Sequence, residues 1–387
     1  MHPLATIRHK PRRDISHFLE ALPFWLSLPV IPVVAIGAYY GGWTVLLVPI
    51  TVLYLYSAID FFAGLNFADA DINTPDSALK WYRMITVIWG PMQFVTIFGS
   101  IYYVTTSTHL GLLEQLGLFF GIGIMSGTIG IVYAHELMHQ KPKWERWLGD
   151  ILMSMALYSH FRSEHLLVHH RYVGTPRDNA AARYNEGFHR FFPRVVIGSA
   201  GSAFRAERAM LARKGLHWSH RTNPYWRYAA LQLAMLALAA LIAGWLGVLL
   251  FVTQACVAIW QLELVNYMEH YGLTRRHLGD GRYEHAQPHH SWNSAHMVSN
   301  WLMINLQRHS DHHHRPDRRF PLLQNHGPEA APQLPMGYTY MGLVAMVPPL
   351  WRRKMNPKVR AWRRQFYPDI EDWKPYNKAR NPMPKGS

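Results

Sequence analysis

The chain has 387 residues, of which 39 are Lys or Arg and 24 are Asp or Glu, so its formal net charge is +15 at pH 7. It contains one cysteine, Cys256, which excludes an intrachain disulfide and an iron–sulfur centre held by cysteines of this chain alone. No recognised nucleic-acid-binding motif accompanies the basic residues, so we expect no nucleic-acid partner.

Apolar residues are concentrated in four runs that contain no Asp, Glu, Lys or Arg, namely 21–59, 84–113, 115–134 and 228–262. A helix needs about 20 mostly apolar residues to cross a bilayer. The first and last runs are about twice that length and contain glycines near their middle (Gly41 and Gly42; Gly244 and Gly247), so each is interpreted as a hairpin of two spans. With single spans at 84–107 and 113–134, the sequence predicts an all-α integral membrane protein with six transmembrane helices. Buried helices of a large soluble enzyme are the alternative, but four charge-free runs are hard to place in such a fold.

The basic residues predict the orientation in the membrane. The predicted turns at 39–43, 106–115 and 244–247 contain no Lys or Arg, so all 39 basic residues and both termini fall on the other side. The positive-inside rule makes that side cytoplasmic. A basic cytoplasmic face suits anionic lipid or an acidic soluble partner.

This topology divides the chain into six segments. They are a cytoplasmic N-terminal segment (1–20), four transmembrane helices (21–134), a cytoplasmic segment (135–227), two further transmembrane helices (228–268), a second cytoplasmic segment (269–370), and a flexible tail or linker (371–387).

Histidines are clustered where the predicted spans meet the cytoplasm. Among the 24 histidines, four stretches stand out, "HELMH" at 135–139, "EHLLVHH" at 164–170, "NYMEHYG" at 266–272 and "LQRHSDHHH" at 306–314. Two stretches lie at the ends of spans, and the other two lie in the cytoplasmic segments that follow. All four are therefore expected on one side of the membrane at a similar depth, as a histidine-rich cap.

Residues four apart share one face of a helix, and three of the clusters contain such a pair. The pairs are His135/His139, His165/His169 and His309/His313, with His312 beside the last pair. His170 is turned by about 100° from His169, so we expect these neighbours to reach different metals. With His270 the set comprises nine imidazoles, which exceeds the four to six ligands of one metal ion and predicts a di-metal site. Spacing leaves Fe, Zn, Cu, Ni and Co open.

Other histidines are excluded from this set. His314 precedes Arg315 and Pro316, where the helix should end, and Pro288 argues against a helix that would align His285, His289 and His290. The five letters His135 to His139 also match the H-E-x-x-H motif of zinc peptidases. A peptidase would leave most of the other clustered histidines without a role, so we interpret this match as coincidence.

Each cluster carries an acidic residue beside a histidine, which we predict to accept the Nδ1–H of an imidazole from another cluster. Such carboxylates fix tautomers and offset metal charge. The four candidates are Glu136, Glu164, Glu269 and Asp311.

The three boxes and the stretches around them resemble the membrane-bound alkane monooxygenase family of the integral-membrane desaturase–hydroxylase superfamily. The narrower signature is "NYMEHYGL" (266–273), "LQRHSDHHHRP" (306–316) and "QLPMGY" (333–338), with "HHSWNSAH" and "EHLLVHHRYVGTP" in addition. The resemblance covers roughly residues 20–370. It departs from the family pattern at Val168, where a glycine is common, and at Asn179, where a proline is common.

The resemblance implies two non-haem iron ions held by the nine histidines, with no haem, flavin or iron–sulfur centre in the chain. It also implies hydroxylation of the terminal methyl group of medium-chain n-alkanes with O2. Electrons would come from reduced rubredoxin, either separate or linked at the C-terminus, which a rubredoxin reductase in turn reduces. The implied location is the inner membrane of a bacterium.

Two other classes remain open. A fatty-acyl desaturase or hydroxylase, or a xylene-type monooxygenase, would share the spans, the boxes and the iron. A histidine-lined metal transporter would need polar residues along the spans, which the charge-free runs do not offer.

The fourth span is a candidate substrate channel, because His135 determines which of its faces points to the metals. The residues on that face are Ile124, Met125, Thr128, Ile131 and Val132. Glycines around them permit either an open channel or close helix packing, and close packing is the commoner use in membranes.

Basic residues near the C-terminus are candidates for docking an acidic electron donor through electrostatic steering. They are Arg352, Arg353, Lys354, Lys358 and Arg360. Contact with anionic lipid would explain the same residues equally well.

Overall fold

A computed structural model describes residues 10–377 of the chain. Almost all of its regular structure is helical. The longer α-helices are Lys10–Ala21, Val30–Tyr40, Tyr56–Ala63, Lys80–Thr106, Leu112–Met125, Ile131–His139, Lys143–Met155, Phe188–Ala212, Pro224–His270, Tyr338–Ala345 and Pro348–Phe366. Short helices at Phe161–Glu164, His170–Tyr172, Met297–Leu302 and His309–His314 lie between them. Two short strands, His277–Gly279 and Arg282–Tyr283, pair antiparallel.

Five helical segments are long and apolar enough to cross a membrane. They are Ile15–Tyr40, Gly42–Ala63, Lys80–Thr106, Leu112–His139 and Pro224–His270, called here the first to fifth apolar segments. They coincide with the four charge-free runs, and the break between the first two lies at the predicted glycines. The protein is therefore an all-α membrane protein.

The fifth apolar segment is interrupted near its middle. Ala243 (φ −147°, ψ 27°) and Gly244 (φ 56°, ψ −143°) leave helical geometry. A β-carbon at Gly247 would collide with the carbonyl oxygen of Ala239, although eight residues of a straight helix span about 12 Å. The chain therefore turns back on itself near Gly244, whose positive φ suits glycine.

The fourth apolar segment is the central one. In its most apolar window 83% of the residues are buried, against 28–44% in the other four segments. A β-carbon at Gly123 would lie 2.7 Å from the Gln254 carbonyl oxygen, and one at Gly127 would lie 3.0 Å from Ala258 Cα, so these glycines let the fifth segment approach closely. The predicted close packing is therefore present on this face of the helix.

Polar contacts attach the segments outside the membrane to the helices. The buried Asp60 carboxylate at the end of the second apolar segment accepts hydrogen bonds from Val298 N (2.7 Å) and from the Ser299 backbone and hydroxyl. The buried Glu145 carboxylate pairs with Arg319 (3.0 Å) and with Arg83 of the third apolar segment. Breaking either attachment would leave a buried carboxylate without its hydrogen-bond or ion-pair partners, which is costly.

The C-terminal helix Pro348–Phe366 packs against the end of the fifth apolar segment. Its buried face comprises Trp351, Met355, Val359 and Trp362. Trp351 contacts the rings of Tyr267 and Tyr271, which flank His270.

The first residues of the predicted flexible tail are packed. Trp373 contacts the ring of Trp362, and Tyr376 is buried. Residues 378–387 of that tail, like 1–9 of the predicted N-terminal segment, lie outside the described residues.

The close approach of the fourth and fifth segments predicts a specific sensitivity. Gly123→Ala should lower the melting temperature of the detergent-solubilised protein, because overpacking of this kind costs about 1–3 kcal/mol. Gly99→Ala is the matched control, since a β-carbon there meets nothing within 4 Å and alanine favours the helix. Equal melting temperatures for the two variants would show that the glycine contact does not hold these helices together.

Candidate metal centre

The nine predicted histidines lie together in two groups. Within each group the candidate ligand nitrogens lie within 4.8 Å of one another. The first group is His135, His139, His165, His170 and His312; the second is His169, His270, His309 and His313. His314 belongs to neither.

Four separate stretches of the chain supply these side chains. His135 and His139 end the fourth apolar segment, and His270 ends the fifth. His309, His312 and His313 lie on the short helix His309–His314. The remaining three lie on the segment 165–170. No single element could build either group, so the fold has to bring the stretches together.

The helical spacing rule holds for two of the three predicted pairs. His135/His139 and His309/His313 each share a group, but His165 and His169 fall in different groups. Residues His165–His169 form a π-helical turn, in which the His170 N–H bonds to the carbonyl oxygen of His165. The wider turn places residues five apart on one face, so His165 shares its group with His170 instead.

Nε2 atoms converge in both groups. In the first, His165 Nε2 lies 2.8 Å from His135 Nε2, 3.0 Å from His139 Nε2 and 2.9 Å from His170 Nε2. In the second, the Nε2 atom of His313 lies 3.0, 3.2 and 3.4 Å from those of His309, His169 and His270. Two nitrogens at right angles around one metal are about 3 Å apart when each metal–nitrogen bond is about 2.1 Å. The observed spacing is that of ligands sharing one ion.

The electrostatics favour neutral imidazoles. Burial and the neighbouring histidines lower the pKa of His165, His170 and His312 well below its usual range, and the same holds for His309 and His313. Neutral imidazole is the form that binds metals. We expect pairs of such rings to repel through their lone pairs unless a cation lies between them.

Two tautomers are determined by hydrogen-bond acceptors. The Nδ1–H of His270 donates to the carbonyl oxygen of Asn266 (2.9 Å), and the Nδ1–H of His169 donates to the Asp178 carboxylate (3.0 Å). Each ring therefore directs the Nε2 lone pair toward its group, as metal ligands do. The residues present fit a pair of metal ions.

The prediction that the four carboxylates accept an Nδ1–H from the clustered histidines is wrong. Among the described residues none of them lies at hydrogen-bonding distance from an Nδ1 atom of the nine histidines. Glu136 instead accepts from Gln140 (2.9 Å), Asp311 pairs with Arg318, Glu164 is buried with one oxygen unpartnered, and Glu269 lies 3.3 Å from His309 Nε2. Glu136 and Asp311 thus have local partners, whereas the Glu269 carboxylate approaches the second group on its Nε2 side and not at an Nδ1 atom.

Asp178 and the Asn266 carbonyl supply the contacts predicted for those acids. Asp178 is buried in the turn after the second histidine cluster, and its second oxygen accepts from Ala180 N (2.9 Å). Sequence inspection could have suggested this aspartate from its place eight residues after His170. A backbone carbonyl leaves no signal of this kind in the sequence.

A third cluster comprises Glu284, His289 and His290. His290 Nδ1 accepts from Gln287 N (2.8 Å), so its Nε2 carries the proton and lies 2.7 Å from the Tyr367 hydroxyl oxygen. A metal at Nε2 would require the neutral ring to lose its remaining N–H proton. The cluster therefore favours a hydrogen-bond network, and His285 lies outside it.

An uncharged cavity of about 30 Å³ lies among the helices near the histidine groups. Its lining contains no charged residue and is formed by Leu53, Thr128, Val132, Trp260, Gln261, Leu264, Val265, Met268, Met303, Tyr338, Thr339, Gly342, Leu343 and Met346. Of the predicted channel residues, Thr128 and Val132 line it, whereas Ile124, Met125 and Ile131 are buried without lining it. Val132 and Met268 precede His135 and His270 by one turn or less, so the cavity ends close to both groups.

The predicted docking residues lie on the C-terminal helix. Arg352 donates to the carbonyl oxygen of Asn185 (3.2 Å), Arg360 donates to the Tyr184 hydroxyl (3.0 Å), and Lys354 lies over the ring of Tyr340. Arg353 is exposed and Lys358 is partly exposed. The helix thus presents a basic edge beside residues 184–187.

Known proteins are similar to this chain over most of its length. Residues 107–344 match the fatty acid desaturase family. The chain is 37% identical to alkane 1-monooxygenase 2 of Pseudomonas aeruginosa, with 88% of each chain covered. It is 35% identical to alkane 1-monooxygenase 2 of Alcanivorax borkumensis, covering 88% of this chain and 90% of that one. It is 27% identical to the hydroxylase component of a xylene/toluene monooxygenase of Pseudomonas putida, with 88% and 90% covered. The chain belongs to the alkane 1-monooxygenase family and, through residues 107–344, to the wider fatty acid desaturase family.

Proposed function

We propose that the protein is a di-iron monooxygenase that hydroxylates the terminal methyl group of medium-chain n-alkanes. The observation that carries this proposal is the convergence of nine Nε2 atoms, in two groups, at the end of an uncharged cavity. One oxygen atom of O2 enters the C–H bond and the other leaves as water, which consumes two electrons and two protons.

The two groups of histidines would each hold one iron ion, five ligands in the first and four in the second. Redox-active metal ions supply the activation of O2 and the cleavage of a strong C–H bond, which side chains alone do not perform. Family membership favours iron among the metals that imidazole binds.

The chain's own residues position the substrate. Thr128, Val132 and Met268 line a cavity of about 30 Å³, which is smaller than an alkane, so these side chains would have to move apart for an alkane to enter from the lipid with its end toward the histidines. A substrate without polar groups needs no hydrogen bond along this path, and the uncharged lining excludes water from it.

Electrons have to come from outside, because the sequence offers one cysteine and no redox cofactor site besides the histidines. We propose reduced rubredoxin as the donor, itself reduced by a rubredoxin reductase. Rubredoxins are typically acidic, and the basic edge of the helix Pro348–Phe366 would attract one.

The proposed topology has six crossings, with the turn at Gly244 dividing the fifth apolar segment into two. The histidines and both termini would lie on the cytoplasmic side of a bacterial inner membrane, as the positions of the basic residues indicate. This places the electron donor and the metals in one compartment.

A membrane fatty-acyl desaturase or hydroxylase is the second candidate, since the fatty acid desaturase family matches residues 107–344. The cavity lining speaks against it. The phosphates of an acyl-CoA or a phospholipid call for basic partners, and none of the residues lining this cavity is charged.

Purified, iron-loaded protein should convert octane to 1-octanol when it is supplied with O2, reduced rubredoxin and its reductase. With 18O2 the alcohol should carry the label. Octanoate and octanoyl-CoA, tested in parallel, should remain unchanged. Desaturation or hydroxylation of the acyl-CoA, with octane untouched, would replace this proposal by the second candidate.

His270 lies outside the three histidine boxes, so its role as a ligand is a strict test of the metal assignment. His270→Ala should lower the iron content from about two ions per chain to about one and abolish turnover, because the second group would keep three imidazoles. His314→Ala should retain both ions, since His314 lies in neither group. Elemental analysis of both variants decides the matter, and a His270→Ala protein with full iron would remove this residue from the site.

Thr128 lies seven residues before His135, about 10 Å away along the helix, where a larger side chain would shorten the cavity. Thr128→Phe should reduce the oxidation of hexadecane at least about tenfold relative to that of octane, with unchanged iron content. Val95→Phe is the control, because Val95 is exposed on an apolar helix and does not line this cavity. A proportional loss on both alkanes would show that the substrate follows another face.

A further inference from the structure

Exposed tryptophans surround the place where the fifth apolar segment begins. Trp218 and Trp226 are 42% and 52% exposed, and Trp147 on the helix Lys143–Met155 is 49% exposed. Tryptophan is enriched where a membrane-spanning helix meets the lipid headgroups, because its ring is apolar and its N–H is polar. The three rings therefore indicate a surface at that level.

The depth of these rings follows from the fifth apolar segment. It begins at Pro224, and the roughly 20 residues from there to the turn at Gly244 span about 30 Å, which is the thickness of the hydrocarbon core. Arg227, one turn inside the segment, lies 4.9 Å from the centre of the Trp147 ring and forms an ion pair with Asp150 at 3.0 Å. Trp147 is therefore level with the beginning of the segment.

The loop that contains Trp218 is held by its own hydrogen bonds. The Asn223 side chain accepts from Tyr225 N (3.1 Å) and donates to the carbonyl oxygen of Trp218 (2.7 Å). The Trp226 indole donates to the carbonyl oxygen of Ser219 (3.2 Å). The fold thus presents the two tryptophans of this loop in fixed positions.

The same loop is positively charged. Arg213, Lys214 and Arg221 are exposed, and within the described part of the chain no carboxylate lies within 4.0 Å of their side-chain nitrogens. Residues 208–262 contain no Asp or Glu. The loop therefore carries three cations that no acid of its own stretch of chain compensates.

Acidic residues of the neighbouring helices do not compensate them either. The helices Lys143–Met155 and Phe188–Ala212 contact the beginning of the fifth segment. Their acidic residues are all buried, and they are Glu145, Asp150 and Glu207. Asp150 pairs with Arg162 at 2.6 Å as well as with Arg227, and Glu207 accepts from the Ser163 hydroxyl (2.6 Å).

We propose that Arg213, Lys214 and Arg221 bind the phosphate groups of anionic phospholipids at this surface. Guanidinium and ammonium groups form charge-assisted hydrogen bonds with phosphate, and basic residues next to a membrane-spanning helix attract anionic headgroups. A zwitterionic headgroup carries its own cation and offers less to three uncompensated charges. The proposal requires only that the fifth segment lies in a membrane, so it stands apart from the reaction that the protein catalyses.

Native mass spectrometry of the detergent-solubilised protein, titrated with phosphatidylglycerol, measures this binding. Arg213→Gln combined with Arg221→Gln should weaken the dissociation constant of the tightest-bound phosphatidylglycerol at least about tenfold, and leave that of phosphatidylcholine within about twofold. Arg282→Gln combined with Arg364→Gln is the matched control, because it removes the same charge from two exposed positions that adjoin no apolar segment in the sequence. It should change both dissociation constants less than about twofold.

Melting temperature shows whether each variant is folded. Lys214→Gln changes one exposed side chain and should weaken phosphatidylglycerol binding about threefold, which keeps the test valid if the double variant is unstable. Equal weakening by the two double variants would overturn the site and leave only the attraction of the protein's overall charge. Unchanged phosphatidylglycerol binding, with weaker binding of oxidised rubredoxin, would assign the surface to the electron donor and also overturn the proposal.

Discussion

Nine imidazole lone pairs directed at two points inside the protein are the constraint on which the rest of the structure depends. Nitrogens 2.8–3.4 Å apart that all point inward cannot satisfy one another. Each buried acceptor left without a partner costs about 1–3 kcal/mol, so cations between the rings would stabilise the arrangement. The scaffold has to hold four stretches of chain in place against this repulsion. The buried Glu145 and Asp60 contacts do so by attaching the outer segments to the membrane helices.

The faces of the fourth apolar segment differ in what they contact. Gly123 and Gly127 form the face on which the fifth segment packs, while Thr128 and Val132 form a wall of the apolar cavity. The same helix ends in His135 and His139. One helix thus combines close packing on one face, a cavity wall on another and two of the clustered histidines at its end. The close packing weighed in the sequence analysis is present at Gly123 and Gly127, whereas the channel along Thr128 and Val132 stays a prediction.

The second histidine group has a different surrounding from the first. His169 and His270 donate to Asp178 and to a backbone carbonyl. These two acceptors fix the Nδ1–H tautomer of both rings, so their Nε2 atoms face the second group.

The sequence by itself determined the class of the protein and the identity of the clustered histidines. Charge-free runs, histidines four apart and the isolated His270 are local signals, because helix periodicity and hydropathy act over short stretches of chain. The tertiary structure decided how the nine side chains divide. A π-helical turn separates His165 from His169, and its wider hydrogen-bonding pattern depends on packing that residue spacing does not encode. Structure alone also revealed Asp178 and the Asn266 carbonyl as parts of the surroundings, because the first acts through a tertiary contact and the second through the backbone. A sequence states which groups are present, whereas their partners depend on how the whole chain packs.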